Sequence, residues 1–287
     1  MDHYELGYKV IQWIQAWHNP DFDYFFSAVS VLGLGHFYVF AIPAVYWCLN
    51  KQFGARLAFL FLFGIFLNTW VKYYFQTGRP SPERVRVVFP RSGGGHSFPS
   101  GHAQGVVSFW VYCMVHVRKA WFSWFCMAFI VVMCVSRLYL GLHFPWDVMG
   151  GAAIGLASLI FFFFLLSAYE KIKPRLPWSV WLLAVVVICL VLVWFFPQKR
   201  YGFMTGSFLG FCGGALLEER FVKIQVRQKW QLQLKKLALG WGTGLVIVWA
   251  GLLELQGWSG VSLVSYGVAG VWASLGAPWC FKKLGWG

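Results

Sequence analysis

The sequence predicts an all-α, polytopic membrane helical bundle: a short interfacial helix, a core of six spans, and about three further spans at the C-terminus. Three observations predict it. Of 287 residues, 59% are hydrophobic and only 12% charged, against roughly 25% charged in soluble domains. Aromatic residues make up 21% of the chain, with eighteen Trp. Uncharged runs also recur at bilayer length, as in Tyr24–Asn50, Leu57–Val71, Ala120–Ser136, Val148–Tyr169, Leu176–Gln198, Tyr201–Leu217 and Leu237–Leu253. A spanning helix needs about 20 largely apolar residues, and a water-soluble chain with this many such runs would lack the polar surface to cover them.

The elements follow in order. Met1–Asn19 carries Asp2, Glu5 and Lys9, without the basic region and unbroken apolar stretch of a cleaved signal peptide. Its apolar residues Leu6, Val10, Ile11, Trp13, Ile14 and Trp17 fall near helical spacing, which predicts an amphipathic interfacial helix at about 3–18 within an N-terminal segment 1–23. Spans are expected near 24–47, 55–76, 101–117, 120–140, 146–167 and 178–196, making a core of residues 24–196. The third is cut from the uncharged stretch Ser92–Val117, whose first part is a Gly-rich loop. Pro145 and Pro177 sit where helices begin, and Pro197 where one ends. Residues 197–287 form an extension with spans near 201–217, 236–255 and 261–281 and a basic cytoplasmic loop near 218–236. Inside that loop, Ile224–Lys236 alternates apolar and basic residues, which reads either as a basic interfacial helix or as a solvated connector.

Charge orients the chain. Lys51, Arg56, Arg118, Lys119, the cluster at 171–175, the loop at 220–236 and Lys282/Lys283 put 15 Lys and Arg on one side of the expected bundle, against 9 on the other. The richer side belongs in the cytoplasm. The net charge of +14 is therefore read as loops facing anionic headgroups, with no nucleic-acid partner. The seven Cys are scattered through apolar runs with no CxxC and no metal-ligand spacing, and read as small buried apolar residues.

Three separated stretches break the apolar pattern: Lys72-x6-Arg79-Pro80, Pro99-Ser100-Gly101-His102, and Ser136-Arg137-x5-His143-x3-Asp147. They fall at the end of the second expected span, the start of the third, the end of the fourth and the start of the fifth, all on one face. Together they hold three cations, two imidazoles and a carboxylate. Lys72, Arg79 and Arg137 suit the non-bridging oxygens of a phosphoryl group, over which negative charge spreads in the transition state. Ser100 can cap the third span so that backbone N–H groups point at an anion, and Gly101 allows close backbone approach there. Asp147 stands at i+4 from His143, one helical turn away.

The order and spacing of these stretches resemble the type 2 phosphatidic acid phosphatase superfamily. Its signature K-x6-RP, PSGH and SR-x5-H-x3-D is met without substitution, and the resemblance covers roughly Leu57–Leu166. It implies a six-span phosphatase core acting on a lipid phosphomonoester or pyrophosphate: phosphatidic acid, phosphatidylglycerol phosphate, undecaprenyl pyrophosphate or a sphingoid base phosphate. It implies that His143 is the nucleophile that forms a phosphohistidine, that His102 is the acid and then the base, and that Asp147 orients His143. Lys72, Arg79, Arg137, Ser100 and Gly101 bind the phosphate, and no metal or other cofactor is required. The expected partners are a membrane lipid substrate and the bilayer, with a homodimer compatible, and the expected place is a plasma (inner) membrane with the site on the extracytoplasmic side. An alternative is a lipid transporter or scramblase using the same fold to bind a phosphate-bearing lipid; it needs the cations but not the histidine pair.

The outer loop holds two further expectations. Pro90–Phe98 reads as a flap over the pocket or as a plain turn. Glu83, Arg84, Arg86 and Arg91 read as headgroup contacts or as a solvated loop. Leu138–Pro145 surrounds His143 with apolar residues, which suits an acyl or prenyl chain approaching from the bilayer. Asn68, four residues before Lys72, reads as a packing hydrogen bond rather than a substrate contact.

Overall fold

The computed structural model describes residues 3–195, 199–254 and 261–287, and all their regular elements are helical. Pro197 and Leu255, expected at helix ends, lie outside them. The helices are α1 (His3–Gln15), α2 (Pro20–Val31), α3 (Gly35–Ala44), α4 (Lys51–Phe75), α5 (Gly101–Val117), α6 (Ala120–Tyr139), α7 (Pro145–Ile172), α8 (Trp178–Phe195), α9 (Lys199–Leu217), α10 (Trp230–Glu254), α11 (Val261–Val271) and α12 (Ala277–Lys283). Wider π turns follow α3, α9 and α11, at Val45–Leu49, Glu218–Val222 and Trp272–Gly276.

Every expected span overlaps a helix. By length and composition, four helical stretches among the described residues are long and apolar enough to cross a membrane: Lys51–Phe75, Ala120–Tyr139, Pro145–Arg175 and Val261–Lys283. The span expected at 24–47 is not one straight helix. It is the pair α2 and α3, bent by 52°, which counts as a fifth span if the two halves cross together.

The chain divides into two compact units. The first comprises Met1–Tyr38 and Phe63–Phe164 and contains all three motif stretches. Its core sets Val29 against Val106, Val107, Ile130 and Met133, so α2, α5 and α6 share an apolar seam. Asn19 caps α2 by accepting from the Phe22 N–H at 2.8 Å, with Pro20 at the first helical position.

The second unit comprises Val39–Leu62 and Leu165–Gly287. Here α9 and α11 pack at backbone distance. A Cβ on Gly206 would sit 2.1 Å from the Leu263 carbonyl oxygen, and one on Gly210 would sit 2.1 Å from that of Gly267. Two helices in an apolar solvent gain little from hydrophobicity, so small residues that let backbones meet supply the packing instead. The stretch 223–229 is not helical, and α10 begins only at Trp230. This replaces the interfacial helix among the expectations for Ile224–Lys236, and the cause is side-chain capture of the backbone. Lys236, fully buried, donates to the carbonyls of Gln225, Val226 and Trp47 at 3.2–3.4 Å. Gln233 donates to Val226 and Cys48, and buried Glu218 accepts from the Ile224 N–H at 2.9 Å.

The α9–α11 contact leads to a prediction with two signs. Gly210→Ala should lower the unfolding midpoint in detergent, by a destabilisation of about 1–3 kcal/mol from forced overlap. Gly242→Ala, whose added Cβ meets nothing within 4 Å, should be neutral or stabilising by up to about 1 kcal/mol through helix propensity. Equal shifts in both variants would mean that the close approach does not hold the helices together.

Candidate active site

The motif stretches are brought together by the folding back of residues 76–100. Thr77 accepts from the Phe98 N–H through Oγ1 (2.7 Å) and from the Ser97 N–H through its carbonyl (3.0 Å), tying the segment after Lys72 to the one before Pro99. Ser100 caps α5, its buried hydroxyl facing the Ala103 N–H. The Ser100 N–H donates to the Asp147 carbonyl at 2.9 Å. A Cβ on Gly101 would lie 3.3 Å from Asn68 Oδ1. Asn68 donates to Gln104 Oε1 at 2.7 Å and to the Pro99 carbonyl at 3.4 Å, and Gln104 donates to the Gly64 carbonyl, so this polar trio seams α4 to α5 under the Pro99–His102 stretch.

Asp147 occupies the third position of α7 and is fully buried. Its Oδ2 accepts from the Phe144 N–H at 2.7 Å, the return half of a capping box in which a third-position side chain satisfies the first backbone donor. The i+4 expectation needs correction here. His143 precedes the helix, which starts at Pro145, so helical spacing does not govern the pair. His143 Nδ1 lies 3.7 Å from Asp147 Oδ2, outside hydrogen-bond distance. Between them stands Ser97, whose Oγ is 2.5 Å from Asp147 Oδ2 and 3.3 Å from His143 Nδ1.

The other face of the imidazole meets the cations. Arg79 Nη1 lies 3.3 Å from His143 Nε2 and donates to the Leu142 carbonyl at 2.6 Å. The rest of its guanidinium donates to the carbonyls of Gly94, Gly95 and His96. Lys72, in the last turn of α4, donates to the carbonyls of His96 and Ser97. The Gly-rich run is therefore clasped by two motif cations, neither a free flap nor a plain turn. Burial lowers the Arg79 pKa against the raising pull of Asp147. Arg137 is fully buried and reaches Ser136 Oγ at 2.9 and 3.1 Å and Ser92 Oγ at 3.4 Å. His102 Nε2 is buried without a hydrogen-bond partner, and the cations Arg137 and Arg79 and the His143 ring are its neighbours.

The loop between α4 and α5 differs from its expected role. Arg84 forms a two-bond pair with Glu5 at 2.8 and 2.9 Å and lies over the Tyr8 ring, and Arg86 pairs with Asp23 at 2.7 Å. Both are engaged by the N-terminal helices instead of being open to a headgroup. Gln15 of α1 completes the clamp, donating to the Arg86 and Tyr139 carbonyls and accepting from the Arg86 N–H. Gly141, at φ +69°, permits it: a Cβ there would lie 2.1 Å from the Arg86 carbonyl oxygen. The apolar residues around His143 are likewise spoken for. Phe144 packs with Tyr8, Ile11 and Val85, and Leu142 with Tyr139 and Leu140 against α1, α2 and the loop, so they build core and do not line a path for a lipid chain.

Sequence reasoning missed Ser97 and the α1 contacts. A Ser in a Gly/Ser-rich loop carries no periodicity or spacing signal, and its partners lie 46 and 50 residues away. Among the described residues, no group of three or more His, Cys, Asp or Glu side chains is placed to hold a metal ion.

A family model described as "PAP2 superfamily" matches residues 53–170, and one described as "PAP2 superfamily phosphatase, transmembrane extension" matches 202–287. The lipid A 4'-phosphatase of Bacteroides thetaiotaomicron is 30% identical over 166 residues, covering 53% of this chain and 72% of that protein. A probable sphingosine-1-phosphate phosphatase of Dictyostelium discoideum is 28% identical over 170 residues, covering 55% of this chain and 42% of that one. The match thus spans less than half of the Dictyostelium protein. Among solved structures, the crystal structure of Aquifex aeolicus LpxE aligns with a TM-score of 0.50 at 26% identity, covering 55% of this chain and 94% of the other.

The imidazole of His143 lies in the link between α6 and α7, and burial pushes its pKa down to about 4 against the raising pull of Asp147. An exposed imidazole titrates near 6.5, so as pH falls the unfolded chain takes up this proton before the folded one does. The contribution is complete above about pH 6.5 and is lost as pH falls towards 4. Wild-type protein should therefore lose on the order of 3 kcal/mol more than His143→Asn between those values, read as the pH dependence of the unfolding midpoint. Parallel profiles would show that the buried ring is not held neutral.

Proposed function

The chain belongs to the PAP2 superfamily of membrane lipid phosphatases, and from that premise we propose that it hydrolyses the phosphomonoester or pyrophosphate of a lipid through a phosphohistidine on His143, without a metal. The single observation that carries this reading is the two-sided setting of the His143 ring. One nitrogen faces an anchored serine and carboxylate, while the other lies 3.3 Å from an Arg79 guanidinium nitrogen.

The proposed chemistry proceeds in two displacements. Nε2 of His143 attacks phosphorus, the P–O bond to the lipid breaks, and its electron pair leaves on the alkoxide, which takes a proton from the His102 imidazolium. His102, now neutral, removes a proton from water as the water attacks the phosphohistidine. Inorganic phosphate leaves, and both rings return to their starting states. Charge on the phosphoryl oxygens is met by Lys72, Arg79 and Arg137. The carbonyls of residues 94–97 and 142 now held by Lys72 and Arg79 mark acceptor positions that phosphate oxygens can take over, and two of those donors are already aimed at the loop above His143. Ser100 and Gly101, at the start of α5, add the N-terminal end of a helix to the same pocket.

For the substrate, the apolar chain and the positive-inside orientation support a lipid presented on the extracytoplasmic face. Phosphatidic acid, phosphatidylglycerol phosphate, undecaprenyl pyrophosphate and a sphingoid base phosphate remain the panel, to which the Bacteroides relative adds the 4'-phosphate of lipid A.

Purified protein should release phosphate from at least one of these lipids. His143→Ala should lower kcat by roughly a thousandfold or more while lipid binding persists. Rapid quench with labelled substrate should trap an acid-labile phosphoryl-enzyme that is missing in the variant. Unchanged release in both His143→Ala and His102→Ala would overturn the mechanism and favour a lipid-binding or lipid-moving role. Activity should also survive EDTA; loss of activity that Mg²⁺ restores would move charge neutralisation from the three cations to a metal.

A further inference from the structure

We propose that Ser97 is a positioning residue that passes the hold of Asp147 to His143 and sets which ring nitrogen is free to attack. The proposal rests on the reading of His143 as nucleophile and adds a residue lying outside all three motif stretches.

The hydrogen bonds leave one consistent arrangement. Asp147 Oδ2 accepts from the Phe144 N–H at 2.7 Å and lies 2.5 Å from Ser97 Oγ, so both lone pairs of that oxygen are engaged. The imidazole Nδ1 is 3.7 Å away, too far to be a third partner. A carboxylate can only accept, so the hydroxyl of Ser97 must donate to it. Having spent its only proton, Ser97 can offer His143 only a lone pair. The 3.3 Å contact with Nδ1 must then run from Nδ1–H to Oγ. This places the proton on Nδ1 and leaves the lone pair on Nε2, the nitrogen facing Arg79.

The chain Nδ1–H to Oγ–H to Oδ2 thus does what a direct His–Asp contact does in a hydrolase triad: it fixes tautomer and ring orientation. It also answers the charge that appears on the ring once Nε2 is phosphorylated. Ser97 is fully buried, and its backbone is pinned from both sides, its N–H donating to the Thr77 carbonyl and its C=O accepting from Lys72. Its hydroxyl is therefore held where the relay needs it. Without that hydroxyl, Nδ1–H has no acceptor within reach, and the ring is free to place its proton on Nε2, which abolishes the nucleophile in that fraction of molecules.

Ser97 touches the ring and not the substrate in this arrangement, so its loss should act on kcat. Ser97→Ala is expected to lower kcat roughly 10- to 100-fold with KM changed less than about threefold. Ser97→Cys keeps the shape but hydrogen-bonds weakly, so it should fall in the same direction, and it replaces the Ala variant if that protein does not fold. The discriminating measurement is a double-mutant cycle with Asp147→Asn, using residual kcat. If Ser97 works through Asp147 and His143, Ser97→Ala/Asp147→Asn should be no more than about threefold slower than Asp147→Asn alone. Independent, multiplying effects would overturn the relay, as would wild-type kcat in a folded Ala or Cys variant. A His143→Ala protein that still released phosphate would remove the proposed function itself, whereas an inactive His143→Ala beside a fully active Ser97→Ala would remove only this inference.

Discussion

One buried carboxylate organises the phosphatase half of this chain. Asp147 receives the Ser100 N–H on its carbonyl and the Phe144 N–H and Ser97 hydroxyl on one side-chain oxygen. The start of α5, the start of α7 and the loop that closes over both are thereby referred to a single residue. A side chain that completes a helix cap and holds the neighbouring segments is over-determined, and through Ser97 it fixes the surroundings of the His143 imidazole. Its remaining oxygen, Oδ1, is buried with no hydrogen-bond partner. In a low-dielectric setting an uncompensated carboxylate oxygen is expensive. The nearby Lys72 and Arg79 are the charges positioned to offset it.

Charge is sorted around the loop between α4 and α5. Arg84 and Arg86 are neutralised by Glu5 and Asp23, whereas Lys72, Arg79 and Arg137 are satisfied by carbonyls and hydroxyls. The difference matters physically. A cation paired with a carboxylate has little field left for a substrate, while one hydrogen-bonded to neutral acceptors keeps its full charge and can exchange those acceptors for phosphate oxygens. The acidic residues of α1 and α2 do the first job, which leaves the second to the motif cations. Exposed pairs such as Glu5–Arg84 contribute little stability alone. Their effect is to give α1 a fixed place on the loop, together with Gln15 and Tyr8.

Much of this was legible in the residues. Apolar runs located the helices, since a chain in lipid must satisfy its backbone locally, and the three spacings located Lys72, Arg79, His102, Arg137, His143 and Asp147. What stayed hidden depends on long-range contacts. The bend between α2 and α3 interrupts a run that composition reads as continuous. Arg84 and Arg86 look like free loop charges because their carboxylates lie 79 and 63 residues away. Ser97 sits in a loop where Gly and Ser are ordinary, and only the fold-back through Thr77 sets it beside His143. The His143–Asp147 spacing was read as helical when it is in fact the spacing of a cap, so the contact it suggested is one hydroxyl longer than expected.

The same kind of repair occurs once in each unit. At these two places, where a helix gives way to extended chain, long polar side chains take up the released carbonyls. Lys72 and Arg79 do so for residues 94–97, and Lys236 with Gln233 for residues 225 and 226. The π turns follow suit: the Trp47 indole N–H and the Tyr46 hydroxyl donate to the carbonyls of Ala273 and Ser274. In an apolar solvent each unsatisfied carbonyl is a penalty, so such donors are a structural necessity first. The distinction between scaffold and site then lies in what else is near the donor. Lys236 has three carbonyls and the Phe281 ring, which complete its surroundings. Arg79 has carbonyls and an imidazole nitrogen beside it, with Lys72 holding the same loop, and that imidazole turns a backbone repair into a place where an anion can react.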